Sequence, residues 1–175
     1  MGARRFGVAR RDPAGVRAAL GSVAFLVIAP GVVAGVIPWW ITSWEVEEPF
    51  TFWAPLRVVG VALTAAGVLA LLDSFRRFVV EGLGTPAPVA PTEELVVGGL
   101  YRYVRNPMYV AVTATILGQA LLLGQLVLFA YCAVFVAVVA AFVRWYEEPT
   151  LARTYGEQYE AYRRSVPAWI PRRRH

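Results

Sequence analysis

The uncharged stretch NPMYVAVTATILGQALLLGQLVLFAYCAVFVAVVAAFV, residues 106–143, decides the fold of this chain. As one helix its 38 residues, at about 1.5 Å each, would extend to roughly twice the thickness of a hydrocarbon core of about 30 Å. We therefore predict that the stretch folds back as a helical hairpin of two short helices. The polar and flexible pair Gly124-Gln125 is the predicted turn, with Gly118-Gln119 as the alternative.

Two further apolar runs precede this stretch. Residues 18–44 carry no charge, and residues 49–72 carry only Arg57. The whole chain is 58% hydrophobic and 17% charged, whereas soluble domains are about half apolar and a quarter charged. The sequence thus predicts an all-α integral membrane protein with four transmembrane helices, the last two forming the hairpin. Residues 1–80 would hold an N-terminal segment and two helices, and residues 81–175 a loop, the hairpin and a tail, in one continuous membrane domain.

The positions of the charges predict the orientation. Arginines lie before the first run, between the second and third, and after the last, whereas the first turn carries Glu45, Glu47 and Glu48. By the positive-inside rule, we predict that both termini and the middle loop face the cytoplasm. The protein would then lie in the inner membrane of the cell. The net charge of +5 is then explained by topology and by anionic lipid headgroups, and we expect no nucleic-acid partner.

Several common site chemistries are excluded by composition. Cys132 is the only cysteine and lies in an apolar run, while the only histidine is the last residue, His175. These counts leave no intramolecular disulfide, no thiol–metal cluster and no histidine-based catalytic group, and no metal site is expected. The chain also lacks a P-loop and a dinucleotide-binding fingerprint. An enzyme built on it must work with arginines, carboxylates, tyrosines and backbone groups.

Polar residues are concentrated in two stretches, 81–109 and 144–171, which adjoin the two ends of the predicted hairpin. A closed hairpin would bring these stretches together at the membrane surface. Asn106-Pro107 is typical of a helix start, and on that ground alone a cap is favoured over a ligand contact. The glycine-rich loop, with Leu95 and Val96, is either a connector or a backbone that approaches a flat ligand.

In the second stretch, Arg144 and Glu148 are four residues apart, so they would share a helix face, with Glu147 next to them. They are either an ion pair worth a few tenths of a kcal/mol or a site in which Arg144 faces an anion and Glu148 a cation. Further along, apolar and aromatic residues recur at helical spacing and predict an amphipathic helix on the membrane surface: Leu151, Tyr155, Tyr159, Tyr162 and Val166.

The patterns LV..G.YR.VRNPMY, residues 95–109, and EEP.L...YG..Y..Y...VP..IP, residues 147–171, resemble the isoprenylcysteine carboxyl methyltransferase and phospholipid methyltransferase superfamily. The resemblance covers about residues 82–171, and the first two spans match in hydropathy alone. Asn106 departs from the pattern, because eukaryotic isoprenylcysteine methyltransferases have histidine there. An asparagine amide can still form hydrogen bonds.

The resemblance implies that S-adenosylmethionine binds on the cytoplasmic side. Carried over by position, the cofactor-binding residues would be Leu95, Val96, Tyr101, Asn106, Pro107, Met108, Tyr109 and Glu148. Arg144 would face the methyl acceptor, and Arg105 would support the reaction electrostatically.

We therefore predict a methyltransferase that uses S-adenosylmethionine and acts on a small lipophilic acceptor, either an isoprenylcysteine-type carboxylate or a lipid amine. The predicted partners are this substrate and the membrane lipids. The alternatives are an NADPH-dependent membrane reductase of a lipid double bond and a non-catalytic protein on the same scaffold. The acceptor and the oligomeric state are left open.

Overall fold

The computed structural model describes residues 28–81 and 95–171, and within these ranges all regular structure is helical, as predicted. Residues 18–27 of the first predicted span, most of the loop after residue 81, and His175 lie outside the described residues. The helices are α1 (Ile28–Thr42), α2 (Ala54–Glu81), α3 (Pro107–Leu123), α4 (Val127–Phe142), α5 (Glu148–Tyr155) and α6 (Glu157–Ser165). A short 3-10 helix, Gly99–Arg102, precedes α3.

Two helical segments among the described residues are long and apolar enough to cross a membrane. They are Ala54–Arg77 within α2 and Val127–Tyr155, which comprises α4, a π-helical turn at Val143–Glu147, and α5. Helices α1 and α3 are apolar but shorter. Four membrane crossings therefore stay a prediction.

The break between α3 and α4 lies at the first of the two predicted turn positions. Helix α3 ends at Leu123, and Gly124 has a φ of 72°, in the left-handed region that favours glycine. The side-chain amide of Gln125 donates to the carbonyl of Glu45, 3.0 Å away, so the turn is attached to the loop between α1 and α2. The alternative turn at Gly118-Gln119 is wrong, because both residues lie inside α3.

Helices α2 and α3 pack with their backbones in close contact. A Cβ added to Gly60 would lie 2.7 Å from the carbonyl oxygen of Gly118, and one added to Gly118 would lie 2.8 Å from that of Gly60. Such distances leave no room for a side chain at either position. Next to this contact, a core of six buried residues joins α2, α3 and α4: Leu71, Phe75, Ala111, Val112, Ile116 and Cys132. The start of α3 is thereby fixed against α2.

The prediction of one amphipathic helix across residues 151–166 is wrong, because the structure has two helices there. Gly156 separates α5 from α6 with φ 51° and ψ −126°, a conformation essentially restricted to glycine. The predicted apolar face is retained in part, since Tyr159 and Val166 are buried. The break lets α6 turn toward the start of α3.

Candidate functional site

A cavity of about 170 Å³ lies between α1, α2, α3 and α4, near the start of α3. Its polar lining comes from the ends of helices and the segment before α3: Tyr101, Arg105, Asn106, Tyr109 and Glu147. Its apolar lining comes largely from helix interiors: Ala29, Pro30, Val33, Leu71, Phe75, Pro107, Met108, Val112 and Phe135. The cavity thus joins a polar rim to an apolar interior.

The C-terminal tail holds the polar side of this cavity in place. The backbone N–H of Arg105 donates to the carbonyl of Pro167 at 2.9 Å. Both the backbone N–H and the side-chain amide of Asn106 donate to the carbonyl of Ala168, each at 3.2 Å. Helix α3 does start at Pro107, but Asn106 does not cap it with its side chain, which binds the tail instead. The interpretation of Asn106 as a simple side-chain cap is therefore wrong.

The two polar stretches meet at a partly buried ion pair. A guanidinium N–H of Arg105 donates to the Glu148 carboxylate at 2.6 Å, and the two side chains are only 11% and 13% exposed. A second guanidinium N–H donates to the carbonyl of Arg163 at 3.1 Å. The Nε atom of Arg105 is buried and has no hydrogen-bond partner within the described residues. Glu148 is thus engaged by Arg105 and does not line the cavity.

The carboxylate that does line the cavity is that of Glu147, which the sequence analysis did not include in the site. The Tyr109 hydroxyl donates to it at 3.0 Å. Glu147 ends the π-helical turn Val143–Glu147, in which hydrogen bonds span five residues instead of four. This wider turn changes which residues share a helix face. The doubled glutamate of EEP is the sequence signal that could have pointed to Glu147.

The tyrosines near the polar rim stay protonated. Burial raises the pKa of Tyr101 well above its usual value, and the Glu147 carboxylate raises it further. Burial likewise raises the pKa of Tyr159 to about 12, with a further contribution from Glu148. The Tyr162 hydroxyl donates to the carbonyl of Tyr101 at 2.7 Å. These phenols are therefore neutral hydrogen-bonding groups near neutral pH and do not act as tyrosinate bases.

The cavity gathers six of the ten predicted site residues: Tyr101, Arg105, Asn106, Pro107, Met108 and Tyr109. Four others do not line it. Leu95 is half-buried and Val96 is buried, Glu148 is paired with Arg105, and Arg144 is exposed. Arg144 forms no hydrogen bond or ion pair with any part of the chain that the structure describes, so the structure does not bring Arg144 and Glu148 together as a pair.

Comparison with known proteins places the chain in a family. The sequence model of the phospholipid methyltransferase family matches residues 56–158, which is more than half of the chain. The chain therefore belongs to the phospholipid methyltransferase family, and the predicted superfamily resemblance is confirmed. The family is one of phospholipid methyltransferases, which agrees with the reaction class that the sequence analysis predicted.

One relative is the protein-S-isoprenylcysteine O-methyltransferase of Schizosaccharomyces pombe. It is 39% identical over 80 residues, which cover 44% of this chain and 33% of the relative. The chain thus matches about a third of the length of that protein. The family and the two long apolar helices together indicate association with a membrane.

Proposed function

We propose that the protein transfers a methyl group from S-adenosylmethionine to a small lipophilic acceptor, either an isoprenylcysteine-type carboxylate or a lipid amine. The observation that carries the proposal is the cavity itself, which joins a carboxylate and tyrosines at helix ends to an apolar interior. A water-soluble cofactor and a lipophilic acceptor need this combination if they are to meet. The family to which the chain belongs supports the same reaction class.

The residues at the polar rim fit S-adenosylmethionine by their chemistry. The cofactor carries a sulfonium and an ammonium group, for which the Glu147 carboxylate is a suited partner. The buried Nε of Arg105 lacks a partner within the described residues and could meet an oxygen of the cofactor. Pro107, Met108 and Tyr109 offer apolar contact for the adenine ring. Leu95 and Val96 do not line the cavity, and they are proposed as further contacts on the adenosine side of the cofactor because of the sequence resemblance.

The two adjacent glutamates have different proposed roles. Glu147 faces the cofactor, while Glu148 acts through Arg105, whose guanidinium it holds beside the start of α3. One oxygen of the Glu148 carboxylate accepts from Arg105 and the side chain does not line the cavity, so we assign the direct cofactor contact to Glu147 instead. Arg144 is the proposed contact for the acceptor head group, since its exposed side chain lies one turn before Glu147 and Glu148 on the same chain segment.

When bound, S-adenosylmethionine supplies an electrophilic methyl group. Transfer of that group is an in-line displacement, so the protein contributes mainly orientation and exclusion of water. The apolar lining contributed by Leu71, Phe75 and Phe135 keeps water from the interior of the cavity. The Tyr109 hydroxyl holds the Glu147 carboxylate in position. No strong base is needed for a carboxylate acceptor, whereas an amine acceptor must bind in its neutral form.

The test of this function is calorimetry on the detergent-purified protein. We expect S-adenosylmethionine and S-adenosylhomocysteine to bind, because the polar rim suits groups that both molecules carry. NADPH serves as the control ligand, since it also contains adenosine but, unlike the other two molecules, carries phosphates. If NADPH binds and neither S-adenosylmethionine nor S-adenosylhomocysteine does, the reductase alternative is favoured and the proposal is overturned.

The proposed orientation places the cavity on the cytoplasmic side of an inner membrane, supported by the distribution of arginine. In a Cys132→Ala background, a membrane-impermeant thiol reagent should label Glu47→Cys from outside and Glu157→Cys only after the membrane is opened. Both positions are exposed, and Ile116→Cys, at a position that is 0% exposed, is the unreactive control. Labelling of Glu157→Cys from outside would reverse the orientation.

A further inference from the structure

Two polar side chains within the apolar helices reach across to the backbone of α1. The Gln119 amide in α3 donates to the carbonyl of Ala34 at 2.7 Å. The Tyr131 hydroxyl in α4 donates to the carbonyl of Val33, also at 2.7 Å. Polar groups in an apolar layer are costly unless they are hydrogen-bonded, and they commonly mark functional positions. Both bonds end in the π-helical turn Val32–Val36 of α1.

Helix α1 is also a wall of the cavity. Ala29, Pro30 and Val33 line it, so Val33 both faces the cavity and accepts the bond from Tyr131. The remainder of α1 is unevenly packed within the described structure, since Pro38 and Thr42 near its C-terminal end are buried. Ile28 is 66% exposed and Val36 53% exposed. A Cβ added to Gly35 of α1 would meet nothing within 4 Å, whereas Gly60 of α2 and Gly118 of α3 leave no room for a Cβ.

The size of the cavity shows why the position of this wall matters. An apolar cavity of about 150 Å³ is known to admit a molecule as small as benzene. The cavity described here has about 170 Å³, including its polar rim. With α1 in this position, the apolar end of the cavity therefore has room for an apolar group of at most about six carbons, since the cofactor would take up the polar rim. Outward movement of α1 would make room for a longer chain, whereas α2 and α3 are held in close backbone contact at Gly60 and Gly118.

We propose that Gln119 and Tyr131 are positioning residues that set the distance of α1 from α3 and α4, and thereby limit the length of the lipophilic chain that the cavity accepts. The inference rests on the proposed function in that the chain is that of the methyl acceptor. Gln119 and Tyr131 touch neither cofactor nor acceptor in this proposal. They act through α1: their hydrogen bonds hold α1 against the cavity, and this position favours a short acceptor chain.

The proposed limit on chain length can be tested with photoreactive alkyl diazirines of two lengths, hexyl and dodecyl. These probes do not require the acceptor to be known. The full chain is labelled in detergent, and labelling at Val33 and Phe135 is normalised to the exposed Val58. In the wild type we expect hexyl labelling of the cavity to exceed dodecyl labelling. In Tyr131→Phe and Gln119→Leu, the dodecyl-to-hexyl ratio should rise about threefold, the size expected for one interhelical hydrogen bond in a membrane protein.

Thr113→Val is the matched control, because its hydroxyl donates within its own helix, to the carbonyl of Tyr109 at 2.8 Å. It should leave the labelling ratio unchanged. If Gln119 and Tyr131 only stabilise the fold, their variants will melt earlier but keep the wild-type ratio, which would overturn the inference. Equal labelling of the wild-type cavity by both probes would overturn it as well.

Calorimetry with S-adenosylmethionine separates this inference from the proposed function. If the cofactor binds but the variants keep the wild-type labelling ratio, only the inference about α1 is overturned. If the labelling ratio changes in the variants but the cofactor does not bind, the proposed function is overturned and the inference about α1 is retained.

Discussion

Replacement of Glu148 by glutamine should lower the melting temperature by roughly 6–12 °C. Removing one partner of a buried ion pair costs about 3 kcal/mol or more, and 1 kcal/mol corresponds to about 2–4 °C in a chain of this size. We use the lower figure because the two side chains retain 11% and 13% exposure. The variant leaves the Arg105 guanidinium without its carboxylate, which is the physical cause of the loss.

Two further variants test this explanation. Arg105→Met combined with Glu148→Gln should recover part of the loss, since no buried charge then remains unpaired. Glu160→Gln is the matched control, because Glu160 pairs with Arg163 at 3.5 Å with side chains that are 43% and 45% exposed. An exposed pair is worth at most about 1 kcal/mol, so its melting temperature should fall by no more than about 2–4 °C.

The outcome also decides between two roles for Glu148. The sequence resemblance implied a cofactor ligand, and the structure places it against Arg105. An unchanged melting temperature, together with a large loss of S-adenosylmethionine affinity, would contradict the role proposed here and favour the ligand role.

Replacement of Glu147 by glutamine should weaken S-adenosylmethionine binding about ten- to a hundredfold. A charge-assisted hydrogen bond contributes roughly 1.5–3 kcal/mol, and Glu147 is the carboxylate among the residues that line the described cavity. Tyr109→Phe should weaken binding less, by about two- to tenfold, because it removes only the bond that orients Glu147. Calorimetry on each purified variant measures both effects.

Glu157→Gln is the control for the loss of a negative charge, since Glu157 is exposed in the first turn of α6. It should leave cofactor affinity unchanged. Arg144→Ala should also keep cofactor affinity but lower methyl transfer, if Arg144 meets the acceptor. Equal small losses in the Glu147 and Glu157 variants would show that Glu147 has no direct contact with the cofactor.

The sequence by itself determined the helical class and several boundaries. A continuous uncharged run of about 20 residues or more has the length of a membrane helix, which satisfies its backbone groups within one segment, so the all-helical class followed from these runs. Gly124 marked the break between α3 and α4, because a left-handed residue there favours glycine. Asn106-Pro107 marked the start of α3. These signals are local, and each depends on a few neighbouring residues.

The sequence also predicted which distant stretches would meet. The ends of α3 and α4 carry the two polar stretches, and the ion pair between Arg105 and Glu148 joins them across 43 positions. The family patterns pointed to the same segments, and six of the ten residues carried over line the cavity. The structure thus brings these six residues together around one cavity, and their roles stay a prediction.

Only the tertiary structure decided which side chains face the cavity. The reading of Arg144 and Glu148 assumed a regular helix of 3.6 residues per turn, but the π-helical turn Val143–Glu147 changes the phase of the helix. Glu147 faces the cavity as a result, and Glu148 turns to Arg105. Asn106 binds the tail through Ala168, which no local cap signal could predict. Such choices depend on packing between segments far apart in the chain, and helical periodicity does not contain that information.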